Sequence, residues 1–299
     1  MPRNFIYIIN PISGRGEKSS LQKILETESK KGGFDFKILP AVANGDYSFL
    51  YDTITRQQIT DVVIAGGDGT VNQVVNSLQH LNVQFGIVPF GSGNGLAFSA
   101  KIPKSTKRAL EVIFEGKSKA VDAFMVNEKF ACSLCGVGFD AQVAHNFAND
   151  PKRGLKTYIK QSVVNFFKAR AYPVVVTAGE VEWELDAFFV SIANGNQFGN
   201  NFTIAPRASL TDGLLDIVIV TKKNKINILV QTLKQVGGFN KLQTVDVVDN
   251  NASVIYFQVP AVDIKNVNLA PIHIDGEPTL TSSLLKIQIL PKHYRLTVP

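Results

Sequence analysis

Long apolar runs and blocks of like charge are both missing from this chain of 299 residues. No stretch approaches the roughly 20 apolar residues that a membrane-spanning helix needs. The apolar run at the N-terminus, Phe5 to Ile9, is too short for a signal peptide. We therefore expect a cytoplasmic protein without a transmembrane segment, whose contact with a membrane is peripheral and transient. The net charge of +6 and isoelectric point near 9.2 suit nucleotides or anionic lipid surfaces, but no basic stripe indicates a nucleic-acid partner.

Cysteine is scarce, with Cys132 and Cys135 as its two examples. Their C-x-x-C spacing would suit a metal or redox site, but no second pair and no neighbouring histidine accompanies it. The segment 130–135 has the pattern of a strand, in which residues three apart point to opposite faces. We therefore interpret both thiols as buried and inert.

Glycine, by contrast, is placed repeatedly between predicted strands and helices. The apolar run 61–64 predicts a buried strand, and apolar residues at 71, 74, 75 and 78 predict a helix directly after it. The loop between them has bare backbone N–H groups at the start of a helix, which can hold a phosphate. Its acidic side chain would repel phosphate unless a cation lay between them, so the combination indicates a nucleotide with its metal. The loop residues are Gly66, Gly67, Asp68, Gly69 and Thr70.

Two more glycine-rich turns follow predicted strands. Residues 10–16 come after the strand 5–9, although the lysine and hydroxyl of a P-loop are absent there. Residues 89–97 come after the strand 84–88. In an alternating β/α chain such turns gather at one edge of a parallel sheet, where ligands bind. Residues 1–125 therefore predict a doubly wound α/β nucleotide-binding domain; a plain turn is the alternative for each loop alone.

From residue 126 the pattern changes to short strands separated by turn signals, which predicts a β-sandwich over residues 126–287. A predicted helix at 155–170 has a basic amphipathic face, either packed on the sandwich or placed near a membrane. A second helix is predicted at 224–237. An exposed sandwich edge could pair with a second copy, so a homodimer is left open. The predicted strands are 130–135, 173–177, 183–193, 214–220, 243–248, 252–259, 263–268 and 284–289.

Two acidic clusters stand at predicted turns of the second domain. In the first, Asp212 and Asp216 lie around a turn with free carbonyl groups, which suits Mg²⁺ or Ca²⁺. In the second, Asp275 and Glu277 flank a glycine at the end of a short strand. In phosphoryl transfer one carboxylate accepts the proton of the attacking hydroxyl and others hold metal. A turn with solvated acids is the alternative in both places, and His273 is interpreted as a core or edge residue.

Taken in order, these motifs resemble the catalytic-domain family of the diacylglycerol kinases, and most closely its soluble bacterial lipid kinases, a group that also includes sphingosine and ceramide kinases. The resemblance covers nearly the whole chain. The loop at 66–70 alone is shared with NAD kinases and 6-phosphofructokinases, whereas six motifs in order are specific. They are Asn10-Pro11-x-Ser13-Gly14, Gly66 to Thr70 with Asn72 and Asn76, Gly91-Ser92-Gly93-Asn94, Gly136-x-Gly138-x-Asp140-Ala141, Ala205-Pro206-x-Ala208-x3-Asp212-Gly213-x2-Asp216, and Asp275-Gly276-Glu277.

The resemblance implies a nucleotide-binding α/β domain, a β-sandwich domain for the lipid substrate and a cleft between them, with the segment 288–299 returning to the first domain. It also implies that ATP contacts all three glycine-rich loops. The residues it assigns to the nucleotide are Asn10, Pro11, Ser13, Gly14, Gly66, Gly67, Asp68, Gly69, Thr70, Asn72, Gly91, Ser92 and Asn94.

The resemblance further assigns roles to the acidic residues. Asp275 or Glu277 would deprotonate the lipid hydroxyl, with Asp275 favoured. The catalytic Mg²⁺ network would be held by Asp68, Asp122 and Asp216. A second, structural Mg²⁺ would be bound by Asp212 and by the carbonyl groups of Leu214 and Ser209.

The sequence departs from the family pattern at two places on the nucleotide side. Asn94-Gly95 stands where family members often have Asn-Asp, and Ala41 stands where a threonine commonly faces the nucleotide. Both changes bear on nucleotide preference and leave the acidic residues untouched. The leading hypothesis is ATP- and Mg²⁺-dependent phosphorylation of a lipid hydroxyl, such as that of diacylglycerol. The alternatives are a soluble-metabolite kinase of the NAD kinase type and a non-catalytic nucleotide- or lipid-binding module.

Overall fold

The chain divides into two compact units in the computed structural model, which describes residues 3–13, 18–139, 141–142, 169–199, 202–221 and 254–299. Unit 1 comprises Met1–Asp122 and Lys292–Pro299, and unit 2 comprises Ala123–Pro291.

Unit 1 is built on a parallel β-sheet. Its strands in chain order are β1 (Asn4–Ile9), β2 (Asp35–Pro40), β3 (Asp61–Gly66) and β4 (Gln84–Pro89). In the sheet their order is β2-β1-β3-β4, with every pair parallel. The winding therefore reverses between β1 and β3, and such a switch point leaves a ligand crevice at the carboxyl ends of the strands. The predicted doubly wound α/β fold is confirmed.

Helices alternate with the strands of unit 1. They are α1 (Lys18–Lys31), α2 (Tyr51–Arg56), α3 (Asp68–Leu78), α4 (Gly95–Ser99) and α5 (Thr106–Glu115). α3 buries the four apolar residues assigned to one face, namely Val71, Val74, Val75 and Leu78. A 3-10 turn at Ser48–Leu50 precedes α2. The Asp46 side chain initiates that turn by accepting the Ser48 N–H at 2.9 Å.

A partly buried ion pair holds the amino ends of these strands together. The Arg3 guanidinium donates to both carboxylate oxygens of Asp61 and, at 2.9 Å, to the Phe114 carbonyl. Asp61 also accepts Gln84 Nε2 at 2.7 Å and is buried. These contacts join β1, β3, β4 and α5 at the edge opposite to the glycine-rich loops.

Unit 2 is a β-sandwich of antiparallel strands, as predicted. One layer has the order β16-β15-β7-β9-β12-β13 and the other β9-β8-β14-β17, with β9 long enough to serve both. Apolar side chains from both layers form one core, including Val137, Val190, Ile217, Ile264 and Leu285. The strands are the end of β5 (Ser118–Val126), β6 (Lys129–Ala131), β7 (Leu134–Gly138), β8 (Tyr172–Ala178), β9 (Val181–Ala193), β10 (Gln197–Gly199), β11 (Phe202–Thr203), β12 (Leu215–Thr221), β13 (Val254–Val259), β14 (Ala261–Asn266), β15 (Ile272–Ile274), β16 (Glu277–Thr279) and the start of β17 (Leu284–Thr297).

The strand β17 is longer than the predicted 284–289 and passes from unit 2 into unit 1. Its first residues pair with β14, between Leu284 and Gln288. Its last residues, Arg295 and Leu296, pair in parallel with β4. The C-terminal segment thus completes an edge of the parallel sheet.

Other predictions for the second domain have mixed outcomes. The strand predicted at 130–135 is wrong, because the chain bends at Cys132 and Ser133 between β6 and β7. Both cysteines are buried and form no disulfide. The strand predicted at 243–248 and the helices predicted at 155–170 and 224–237 lie wholly or largely outside the described residues.

Candidate functional site

The glycine-rich loops of unit 1 contact one another at the carboxyl ends of β1, β3 and β4. Asn10, directly after β1, donates its backbone N–H to the Ala65 carbonyl at 3.0 Å and its Nδ2 to Thr70 Oγ1 at 2.6 Å. Its Oδ1 accepts the Ile12 N–H at 2.9 Å, which shapes the turn that follows. The asparagine side chain therefore fixes the first loop against the start of α3.

Asp68 fastens the second loop to the third. It is the first residue of α3, and its carboxylate accepts the backbone N–H groups of Gly95 at 3.0 Å and Leu96 at 3.1 Å, at the start of α4. Sequence reasoning assigned this carboxylate to metal, and the geometry gives it a structural contact as well. Each carboxylate oxygen has more than one lone pair, so the same carboxylate has lone pairs left to coordinate a cation.

Glycine is required where the second and third loops meet. A Cβ atom added to Gly91 would lie 2.4 Å from the Cα atom of Gly67. Asn94, whose φ is 58°, holds Gly91 in place: its Oδ1 accepts the Gly91 N–H at 2.8 Å and its Nδ2 donates to the Gly91 carbonyl at 2.9 Å. Two bare backbone segments thus lie in direct contact at the ends of β3 and β4. A phosphate group can approach such a surface closely.

The other predicted nucleotide-binding residues differ in exposure. Pro11 and Ser92 are exposed, whereas Ser13 and Asn72 are half-buried. Asn94 is buried and its side chain is engaged with Gly91, so it shapes the loop. Gly14 lies outside the described residues.

Asp122 lies on β5 and is completely buried. Its Oδ1 accepts the backbone N–H of Lys292 at 2.7 Å, in unit 1. Lys292 has a φ of 51°, a conformation unfavourable for a residue with a side chain. The family resemblance assigns this carboxylate to metal, and in the structure it stabilises a bend in β17.

In unit 2, Asp275 lies at the turn between β15 and β16 and its carboxylate is buried. Its Oδ2 accepts the Cys132 N–H at 2.8 Å, and its Oδ1 accepts the N–H groups of Ser133 and Leu134 at 2.8 Å each. The three donors belong to the bend between β6 and β7, which explains the interruption of the predicted strand. Three amide donors stabilise the ionised carboxylate and occupy lone pairs that a general base would offer to a hydroxyl.

Glu277 differs from Asp275 because its side chain is exposed at the start of β16. Between the two acids, Gly276 donates its N–H to Nδ1 of the buried His273 at 3.3 Å. The histidine thus packs in the interior of the hairpin, as expected for a core residue.

A second buried carboxylate, Asp216, lies on β12 and accepts the hydroxyl of Tyr256 and, at 3.3 Å, Nε2 of Gln258. Burial raises the pKa of Asp216 to about 6, against the lowering effect of both hydrogen bonds. Burial and the contact with Asp216 also raise the pKa of the Tyr256 hydroxyl. Sequence reasoning found Asp216 but missed both partners. Asp216 and Gln258 are paired in the β12–β13 ladder, so only the strand register reveals the cluster.

The turn before β12 offers oxygen ligands only. Asp212 is exposed and its Oδ1 accepts the Leu214 N–H at 3.1 Å. Carboxylate and carbonyl oxygens, here with Ser209, are the donors that Mg²⁺ and Ca²⁺ prefer. The raised pKa of Asp216 also marks a carboxylate whose charge a cation would stabilise. Within the described ranges, no three His, Cys, Asp or Glu side chains converge as a metal cluster, so a metal here would depend on main-chain oxygens and phosphate.

Comparison with known proteins places both units in one family. The family profile described as “Diacylglycerol kinase catalytic domain” matches residues 4–126, and the one described as “YegS C-terminal NAD kinase beta sandwich-like domain” matches residues 133–298. Proteins of Yersinia pseudotuberculosis and Yersinia pestis, both named “Probable lipid kinase YegS-like”, are 26% identical over 306 aligned positions, which cover 100% of this chain and 98% of each relative.

Solved structures show the same fold. One from Bacillus anthracis superposes with a TM-score of 0.81 at 22% identity and covers 99% of this chain and 97% of that chain. Another from the same organism, described as a diacylglycerol kinase, superposes with a TM-score of 0.73 at 19% identity and the same coverage.

The chain has a doubly wound α/β unit with glycine-rich loops, followed by a β-sandwich with buried and exposed acids, and its matches to known proteins support a two-domain kinase. The chain belongs to the YegS-like family, in which a diacylglycerol kinase catalytic domain precedes a YegS C-terminal domain. The predicted resemblance is confirmed. Over the ranges that are described, no helix is both long and apolar enough to span a bilayer.

Proposed function

We propose that this kinase transfers the γ-phosphate of ATP to the hydroxyl group of a lipid such as diacylglycerol and requires Mg²⁺. The observation that carries the proposal is the contact between Gly67 and Gly91, which excludes any side chain at the end of two neighbouring strands. A bare backbone surface beside the start of a helix suits a polyphosphate. The names of the Yersinia relatives support a lipid as the acceptor.

The nucleotide is assigned to the three loops of unit 1. The phosphates would contact the backbone of residues 66–70, and the side chains of Ser13, Asn72 and Ser92, which lie in or directly after the three loops, would complete the site. The side chains of Asn10 and Asp68 would hold the loops in their binding geometry through the hydrogen bonds described above. Such preorganisation lowers the entropic cost of binding.

The acidic turn of unit 2 offers two candidates for the base that accepts the proton of the lipid hydroxyl. Family resemblance favoured Asp275, whereas the three amide contacts of its carboxylate favour a positioning role. We therefore assign proton acceptance to Glu277, whose carboxylate is exposed, and positioning of the turn to Asp275. Proton removal by a positioned carboxylate typically contributes about 10²- to 10⁴-fold to the rate.

Mg²⁺, when bound, would neutralise the phosphate oxygens and the charge that develops on the leaving ADP. The family resemblance assigns the catalytic ion to Asp68, Asp122 and Asp216. Because no three acids converge within the described residues, each of them would bind the ion together with phosphate oxygens. A second ion is assigned to Asp212 with the carbonyl oxygens of Ser209 and Leu214, and their oxygen donors are of the kind that Mg²⁺ prefers.

Radiolabelled ATP distinguishes this proposal from its alternatives. Purified protein with Mg²⁺ is offered diacylglycerol, monoacylglycerol, a sphingoid base, phosphatidylglycerol and NAD in separate reactions. Labelled lipid that disappears when Mg²⁺ is chelated is the expected result. Label on NAD instead would show a soluble-metabolite kinase, and ATP binding without any labelled product would indicate a non-catalytic module.

A further inference from the structure

Two loops of unit 2 present large apolar side chains to solvent. Val267 and Leu269, which follow β14, are 49% and 54% exposed. Leu280 and Leu284, at the ends of the β16–β17 loop, are 88% and 43% exposed. These four are a majority of the large hydrophobic residues that are exposed in the described part of the chain. We call residues 266–271 and 280–284 together the apolar tip.

The buried Asn266 joins the two loops by hydrogen bonds. Its Nδ2 donates to the Ala270 carbonyl at 2.9 Å and to Thr281 Oγ1 at 3.2 Å, and its Oδ1 accepts the Ala270 N–H at 2.8 Å. Its backbone N–H donates to the Ser283 carbonyl at 2.9 Å. The exposed apolar residues therefore stand on a platform that is fixed by hydrogen bonds.

Leu269 is an unusual choice for its position. Its φ of 52° belongs to the left-handed region, where glycine or asparagine is favoured. Leucine there neither eases the backbone nor fills the core, since over half of its surface is exposed. A strained residue whose side chain is mostly exposed is a candidate for a binding role.

Lysine side chains border the apolar tip. Lys265 lies directly across from Leu284 in the β14–β17 ladder, and Lys129 donates from Nζ to Thr279 Oγ1, next to Leu280. Neither lysine takes part in the ion pairs found among the described residues. In the sheet, Lys265 lies across from Val175, which lies across from Glu184. Glu184 is therefore two strands away from Lys265.

We infer that the apolar tip inserts into the surface of an anionic lipid bilayer, with its leucines among the upper acyl chains and its lysines at the phosphates. Apolar side chains bordered by cations have the chemistry of an interfacial membrane contact. The inference rests on the proposed function, because a kinase that phosphorylates a membrane lipid works at a bilayer. Leu280 is three residues from Glu277 along β16, so the acidic turn stands about 10 Å from the inserted tip.

Insertion is tested directly with an environment-sensitive fluorophore on Leu280→Cys, since both native cysteines are buried. Vesicles of phosphatidylcholine with phosphatidylglycerol should shift its emission to the blue, and pure phosphatidylcholine should do so less. Val181→Cys is the matched control, because Val181 is 51% exposed at the β8–β9 hairpin of the same unit. An unshifted label on Leu280→Cys, or an equal shift on Val181→Cys, overturns the inference.

Vesicle cosedimentation then measures how much the leucines contribute to the free energy of membrane binding. The variant Leu269→Asn/Leu280→Ser should bind at least about tenfold more weakly, since burying one leucine is worth about that factor, while Val181→Ser should bind like the parent. Leu269→Asn suits the left-handed backbone, so the fold is retained.

Phosphorylation assays separate the inference from the proposed function. The tip variant should lose activity on diacylglycerol in vesicles and keep it on a monomeric short-chain diacylglycerol. Equal vesicle binding by the tip variant and the parent overturns the inference while lipid phosphorylation stands. Loss of a dimer in the tip variant, measured by light scattering, would assign the surface to a second copy of this chain and likewise overturn it. Absence of lipid phosphorylation by the parent refutes the proposed function instead.

Discussion

Replacing Asp275 with asparagine should destabilise unit 2 as well as impair catalysis. The carboxylate accepts N–H groups from Cys132, Ser133 and Leu134, each at 2.8 Å. Asparagine has one acceptor oxygen and one NH₂ group in place of two acceptors. If the oxygen serves Ser133 and Leu134, the Cys132 N–H faces another donor.

The expected cost follows from these contacts. Loss of a hydrogen bond to a charged acceptor costs about 1.5–3 kcal/mol, and a buried donor left unpaired adds to it. The two remaining bonds also weaken when the acceptor loses its charge. We expect the free energy of unfolding to fall by about 3 kcal/mol. A domain of this size loses about 2–4 °C of melting temperature per kcal/mol, so the change should be roughly 6–12 °C.

Circular dichroism melting curves check this value, with Glu277→Gln as the control. Glu277 is exposed, so its variant should melt with the parent and yet lose about 10²- to 10⁴-fold in lipid phosphorylation. A parent-like melting temperature for Asp275→Asn would refute the positioning role. Full activity in Glu277→Gln would refute its role as the base.

Three further changes probe other parts of the chain. Gly91→Ala should weaken ATP binding at least about tenfold and cost about 1–3 kcal/mol of stability, because the added Cβ meets the Gly67 backbone. Calorimetric titration should find ATP binding intact in Gly33→Ala, where the added Cβ meets no neighbour and the φ of 68° costs stability only at the turn after α1. In the absence of metal, the free energy of unfolding should fall by about 2–3 kcal/mol as the pH rises from about 4 to about 6, because the folded-state pKa of Asp216, about 6, exceeds its usual 3.8. Urea unfolding of Asp216→Asn in EDTA should lack this fall. Arg3→Gln leaves the buried Asp61 without its charged partner and should lower the free energy of unfolding by about 3 kcal/mol in denaturant titration. An unchanged free energy of unfolding would contradict that.

The sequence pattern predicted those features that depend on neighbouring residues. The apolar spacing at 71, 74, 75 and 78 is enough to define the buried face of α3. Glycine between a strand and a helix likewise locates the loops at 10–16, 66–70 and 89–97. The alternation of β and α elements also predicts a parallel sheet in unit 1, since the connections of such folds are restricted.

Features that depend on distant partners could not be predicted. The bend at Cys132 exists because Asp275, far along the chain, takes up its backbone N–H groups. Tyr256 and Gln258 join Asp216 only through the register of β12 and β13. The contact of Asp68 with α4 also depends on how the loops meet, and no local pattern encodes it.

The path of β17 has a consequence for folding during synthesis on the ribosome. In the parallel sheet of unit 1, Gln84 and Phe85 of β4 lack their β17 partners until Arg295 and Leu296 have been translated. At about 5–20 residues per second, synthesis from Gln84 to that point takes about 10–40 s. During that interval the growing chain exposes the hydrogen-bonding edge of β4 at Gln84 and Phe85, within a strand of largely buried residues. Nascent-chain chaperones should therefore engage this protein throughout the interval, and a stalled, shortened chain should aggregate through that strand.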